Sequence, residues 1–152
     1  MEYQLKNALG YQIALTALMV RHEFGRRIAH LKLASEQFGI LCLIKEHPSL
    51  TQTEIAQMLC KNKTTVTRMM DSLVKKGLIT KEWNREDRRT QRIEMTDQGR
   101  ETLEAALPIA SAMAADLRKL VKEEHAEVVL EAMDKIQFYC QKRSYKSITK
   151  ES

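Results

Sequence analysis

Two helical runs in the middle of the chain, TQTEIAQML (51–59) and KTTVTRMMDSLVKKG (63–77), are separated only by Cys60, Lys61 and Asn62. A turn that short keeps the two helices in contact, so the rest of the fold has to be built around a helix-turn-helix. Thr51 and Glu54 have the spacing of a capping box, which starts a short helix over about 52–59. Asn62 suits the N-cap of the second helix, and Gly77 suits its stop. At about 100° per residue, Val66, Met69, Met70 and Leu73 gather on one side of that helix. Thr64, Arg68, Asp71 and Lys75 take the opposite side, with Lys63, Thr65 and Thr67 on the shoulders. The methionines read as core filler.

Leu78 to Trp83 and Thr90 to Met95 predict two strands, with Leu78, Ile79, Trp83, Ile93 and Met95 available to pack. The loop between them opens the stretch NREDRRTQR (84–92), in which Arg85, Arg88, Arg89 and Arg92 crowd together beside Glu86 and Asp87. Ten Lys or Arg stand against four acids from Lys61 to Arg92, a net of +6, while the whole chain carries +5. A positive field concentrated in one segment is the footprint of a polyanion partner. Helix-turn-helix, strand, basic loop and strand follow one another as in a winged helix, with NREDRR at the tip of the wing.

Five glycines and two prolines punctuate the 152 residues, and apolar residues recur at three and four, so the chain is mainly helical and long enough for one domain with a real core. A first helix over about 4–31 is apolar nearly all round from Ile13 to Val20, which calls for a partner to cover it. Ser35 is placed to cap a second helix that carries Phe38, Leu41, Cys42 and Ile44 inward, and His47-Pro48 ends it. Beyond Thr96 and Gly99 a long helix keeps Leu103, Leu107, Ala110, Ala114, Leu117 and Val121 in step, and Pro108 should kink it or mark its true start. A last helix over about 124–142 turns Val129, Leu130, Met133, Ile136 and Cys140 inward, and residues 144–152 form a frayed tail.

The segments LASEQFGIL (33–41), LTQTEIAQML (50–59), KTTVTRMMDSLVKKGLI (63–79) and DRRTQRIEMTDQG (87–99) together resemble the multiple-antibiotic-resistance regulator (MarR) family of bacterial and archaeal transcription factors. The most specific part is a wing with Asp-x-Arg, then a strand, then Thr-x-x-Gly, here Asp87, Arg89, Thr96 and Gly99. The resemblance implies a single mainly α domain over 1–152, with a winged helix-turn-helix over about 35–98 and dimerisation helices over about 1–33 and 99–143. It implies a cytoplasmic, nucleoid-associated homodimer that binds a pseudo-palindromic operator in double-stranded DNA, commonly as a repressor. Such regulators need no cofactor and are released by small, often aromatic or phenolic, effectors held between the dimer and DNA-binding parts.

On this reading Lys63, Thr64, Thr65, Thr67 and Arg68 face base edges in the major groove, with Lys61 and Asn62 beside them at the turn. Arg89 enters the adjacent minor groove, Asp87 braces a neighbouring arginine, and Arg85, Arg88 and Arg92 meet phosphates. Arg68 has an alternative, an i,i+3 surface pair with Asp71. Two rivals remain: a winged helix used for protein contacts, against which the Lys/Thr/Thr/Arg face argues, and a nonspecific DNA binder.

Other classes find no foothold. Cys42, Cys60 and Cys140 are odd in number and far apart, which supports neither a disulfide framework nor a zinc site. His22, His30, His47 and His125 show no metal-ligand spacing, and no nucleophile, base or phosphate loop suggests an enzyme. The run IALTALMV (13–20) lacks the flanks of a signal peptide and is too short to span a bilayer. No cysteine precedes Cys42, where the family's organic-peroxide sensors carry theirs. Cys60 occupies a turn position that often holds glycine. It is either a small residue tolerated there or, beside Lys61, Lys63 and a helix N-terminus, a redox-sensitive thiol.

Overall fold

The computed structural model describes residues 4–83 and 91–148. The chain divides into two compact units, one up to Ala110 and one from Ser111 onward. The first holds α1 (Leu9–Ile28), α2 (Ser35–Glu46), α3 (Gln52–Met58), α4 (Lys63–Lys75), β1 (Ile79–Trp83), β2 (Gln91–Met95) and the start of α5 (Asp97–Leu120). The second holds the rest of α5 and α6 (Glu123–Ile148). This is the expected mainly α, winged helix-turn-helix architecture. Among the described residues, no helix is long and apolar enough to cross a membrane.

The helix-turn-helix forms as its caps dictate. Thr51 and Glu54 close a reciprocal capping box, and the Asn62 Oδ1 accepts from the Thr65 N–H at 2.8 Å. Gly77 ends α4 with φ +70°. Val66, Met70 and Leu73 are fully buried against Ile40 and Leu41 of α2 and Ile55 of α3 in one core, which Ile79, Ile93 and Leu103 extend. Each such side chain contributes about 1.5–3 kcal/mol on burial. Phe24 of α1 meets Phe38 of α2 edge to face at 4.9 Å between ring centroids. The strands pair antiparallel, with Ile79 opposite Met95 and Trp83 opposite Gln91.

The wing returns to α5 through one residue. Thr96 Oγ1 donates to the Gly77 carbonyl at 2.6 Å and accepts from the Gly99 N–H at 3.0 Å, capping α5 while tying it to the end of α4.

Several expectations are corrected. The first helix does not run from 4 to 31: α1 is flanked by 3-10 turns at Leu5–Asn7 and Ala29–Leu31, because Ala8 is extended and Ile28 departs from helical geometry at φ −97°, ψ 2°, and the second turn ends where Lys32 is left-handed at φ 54°. Ser35 is not a cap but the first helical residue. Ala34 holds the cap position, and its N–H donates to Gln37 Oε1 at 3.2 Å. Trp83 does not pack, being 63% exposed where β1 runs past the last core residue. Pro108 lies inside α5 and does not start it, since Thr96 supplies the earlier cap.

In the second unit, the single chain leaves Ala114, Leu117, Val121, Val129, Leu130 and Cys140 exposed, and buries Met113 and Ala126 instead. Helix α6 continues to Ile148, past the expected end at 142, because helical hydrogen bonds are local and do not require an apolar face. At its start, Arg118 is held by Glu123 and Glu127 at 2.8 and 2.9 Å, across a turn in which Lys122 is left-handed.

Candidate nucleic-acid interface

Helix α4 presents its polar side as the sequence predicts. Lys63, Thr64 and Arg68 are exposed near its N-terminal end, and Arg68 makes no ion pair among the described residues. The alternative i,i+3 pairing is not formed, because Asp71 is taken by Lys81 of β1 at 2.9 Å. That bond removes the one acid on this face as an unpaired negative charge and roots the wing on α4. The free N–H groups of the first turn add partial positive charge at the same end.

Not every candidate faces outward. Thr65 is half-buried, and its N–H is spent on Asn62. The Thr67 hydroxyl donates to the Lys63 carbonyl at 2.8 Å and accepts from Gln52 Nε2, so it locks α3 to α4. The Lys61 ammonium lies 2.7 Å from Glu36 of α2. Asn62 is exposed, but its side-chain oxygen is the cap of α4. Arg92 is exposed on β2 and paired with Glu94 at 2.5 Å. Arg85, Asp87, Arg88 and Arg89 lie outside the described residues.

Gln52, Lys81 and Glu36 are the residues that sequence reasoning missed. Each pairs across elements that periodicity treats separately, and only Lys81, within the basic census, gave any signal.

Cys60 is exposed and left-handed, with φ 51°. Burial pushes the Cys42 thiol above its ordinary range. Among the described residues, no group of three or more His, Cys, Asp or Glu side chains could hold a metal ion.

A cleft of about 500 Å³ opens beside the wing. Ile44, Pro48, Ile93, Met95 and Leu103 supply apolar lining, and Lys45, Arg92, Glu94, Arg100 and Glu104 supply charge. Arg100 donates to the Met95 carbonyl at 2.8 Å and pairs with Asp97.

Comparisons with known proteins agree with this geometry. The MarR family matches residues 33–90. An HTH-type transcriptional regulator of Bacillus cereus is 30% identical over 112 residues, spanning 73% of this chain and 74% of that protein. The transcriptional repressor CouR, solved bound to a 23-mer DNA duplex, aligns with a TM-score of 0.80 at 29% identity, over 90% of this chain and 99% of that one. CouR bound to p-coumaroyl-CoA aligns with a TM-score of 0.78 at 28% identity, over 90% and 96% of the two chains.

Proposed function

Because the chain belongs to the MarR family of DNA-binding transcription regulators, we propose that it is a repressor that binds a pseudo-palindromic operator as a homodimer and leaves it when a small aromatic ligand binds. The observation that carries this reading is the exposed Lys63, Thr64 and Arg68 face of α4, beside the strands that lead into the basic wing segment. These side chains donate to base edges or touch thymine methyls, and helix N-termini favour phosphate. In this reading Arg89 enters the minor groove, Asp87 braces a neighbouring arginine, and Arg85 and Arg88 meet phosphates. Its place of work is the cytoplasm, at the nucleoid.

The dimer is supported by bare apolar surface. On α1, Leu15, Leu18 and Met19 are exposed, and in the second unit so are Leu120, Val128 and Leu130. A lone chain holding that much apolar surface in water gives up the free energy that a second copy would recover. The effector reading is supported by the cleft beside the wing, where a flat ring would lie on Ile44, Met95 and Leu103 with an acidic or phenolic group toward Arg92 or Arg100. CouR, bound to p-coumaroyl-CoA, is a relative with an aromatic ligand.

Selection of bound sequences from random duplex DNA by the purified protein tests the core of the proposal. Two-fold related half-sites about 34–36 Å apart are the expected result. Affinity should fall steeply with salt as condensed counterions are released. Recovery of no consensus, or a monomer in sedimentation at binding concentrations, overturns it.

A further inference from the structure

The recognition helix α4 is held at both ends by two consecutive residues in the first turn of α2. Before its N-terminus, the Lys61 ammonium lies 2.7 Å from Glu36 Oε1, and the same oxygen takes Arg21 of α1 at 3.1 Å. At its C-terminus, Lys76 Nζ donates to Gln37 Oε1 at 2.7 Å, and Gln37 Nε2 donates to Ser72 Oγ at 3.0 Å. Lys76 Nζ also donates at 2.8 Å to the carbonyl of Lys32, the left-handed residue that ends the turn after α1. Gln37 is the one buried polar side chain among the described residues, at 6% exposure.

Apolar contact fixes how deep α4 sits and is not directional. Hydrogen bonds at its two ends fix its angle. At 1.5 Å per residue the helix is about 20 Å long, so a tilt of about 10° around one end moves the other by about 3 Å, close to one base-pair step.

We propose that Glu36 and Gln37 are positioning residues for operator recognition: through Lys61 and Lys76 they hold the recognition helix to α1 and set the half-site spacing that the dimer accepts. This rests on the two-fold reading proposed above. Lys61 and Lys76 then act through α4's orientation and not as phosphate contacts, although both belong to the basic segment.

The test is affinity for the best selected operator and for versions with one base pair removed, one added or two added between the half-sites. It is run on the parent chain, Glu36→Gln, Gln37→Met, Lys76→Met and Lys76→Arg. The parent binds one spacing best. Lys76→Met and Gln37→Met are expected to lose about tenfold on that spacing, the scale of a hydrogen bond to a charged group, and to flatten the spacing profile. Lys76→Arg, which can still donate to both oxygens, restores the profile.

A parent with a preferred spacing and variants that share its profile overturn the inference alone. So does a Lys76→Met variant whose only change is a salt slope shallower by about one, the mark of a lost phosphate contact. A parent with no preferred spacing overturns the two-fold reading and the inference with it. If Gln37→Met does not fold, the exposed Lys76 decides the matter through Lys76→Met and Lys76→Arg.

Discussion

Gly99 lies so close to Leu78 that a Cβ added to it would stand 2.0 Å from the Leu78 carbonyl oxygen. That oxygen already accepts from the Thr96 N–H at 3.1 Å, so it cannot move without opening the joint between wing and α5. Gly77 has the left-handed backbone, but a Cβ there meets only the flexible end of Gln98, at 3.2 Å. Gly99→Ala should therefore cost about 3 kcal/mol, as overpacking against backbone does, and Gly77→Ala about 1–2 kcal/mol from φ alone. Chemical denaturation of both variants ranks them. The reverse order would mean that close approach to the Leu78 carbonyl is not what requires the glycine of the Thr-x-x-Gly pattern.

Cys60 raises the opposite expectation. It holds φ 51° with a Cβ, where glycine would be relaxed. Glycine also loses more entropy on folding, so Cys60→Gly should raise stability by only about 0.5–1 kcal/mol. The neighbouring Lys61 ammonium is engaged by Glu36, which leaves the thiol less cationic company than the sequence suggests. Peroxide titration of operator binding should thus give the same response in the parent and in Cys60→Ser. A parent that loses binding reversibly while Cys60→Ser does not would establish the thiol as a switch.

How far the fold could be read from the sequence depended on whether the signal was local. Caps at Thr51 and Asn62, the stop at Gly77 and the stripe of Val66, Met69, Met70 and Leu73 each rest on residues no more than four positions apart, and they formed as read except that Met69 is only half-buried. Ser35 failed because a neighbour, Ala34, took the cap position with help from Gln37, which a list of capping residues does not anticipate. Trp83 failed because alternation along a strand does not say where the sheet leaves the core. In the candidate site, exposure of Lys63, Thr64 and Arg68 followed from the helical wheel, whereas Thr67 and Lys61 were claimed by Gln52 and Glu36, fifteen and twenty-five positions away.

That division gives a pair of variants with opposite signatures. Arg68→Ala removes an exposed donor and should weaken the best operator by about 1–3 kcal/mol while relaxing base preference at one position. Thr67→Val breaks the link from Gln52 and should lower the unfolding midpoint without a base-specific change. Binding to a panel of single-base operator variants, alongside thermal melts, separates the two. A Thr67→Val variant with altered base preference and an unchanged midpoint would put its hydroxyl on DNA after all.

Glu23 makes α1 sensitive to acid. Its carboxylate accepts from Arg26 at 2.9 Å and from Arg27 at 2.8 Å, and these bonds, Arg26's first, hold its pKa at about 2 against an ordinary 4.5. A depressed folded pKa gives stability that is complete above the ordinary value and is lost as pH falls through the folded one. Glu23→Gln should be less stable than the parent near neutral pH, with the gap closing between about pH 4.5 and pH 2. Salt should narrow the gap as well, because the group is exposed. A gap that stays constant across that window would show that the carboxylate's charge is not what holds the two arginines.

Trp83 is the chain's single tryptophan, and it stands 63% exposed at the last described residue before the basic wing segment. Its indole shares a strand face with Ile79 and with Lys81, which binds Asp71 on the recognition helix. The reporter therefore lies between the two elements proposed to enter adjacent grooves. Emission of the free protein should be that of a solvated indole. Operator DNA should change its intensity or wavelength in a titration that saturates at one dimer per operator, and high salt should reverse the change as phosphate contacts are lost. Trp83→Phe should keep most of the affinity, since no core contact is removed. A free protein with the emission of a buried indole would contradict the exposure at this position. A titration that is silent while binding is complete by an independent assay would place the bound DNA away from the root of the wing.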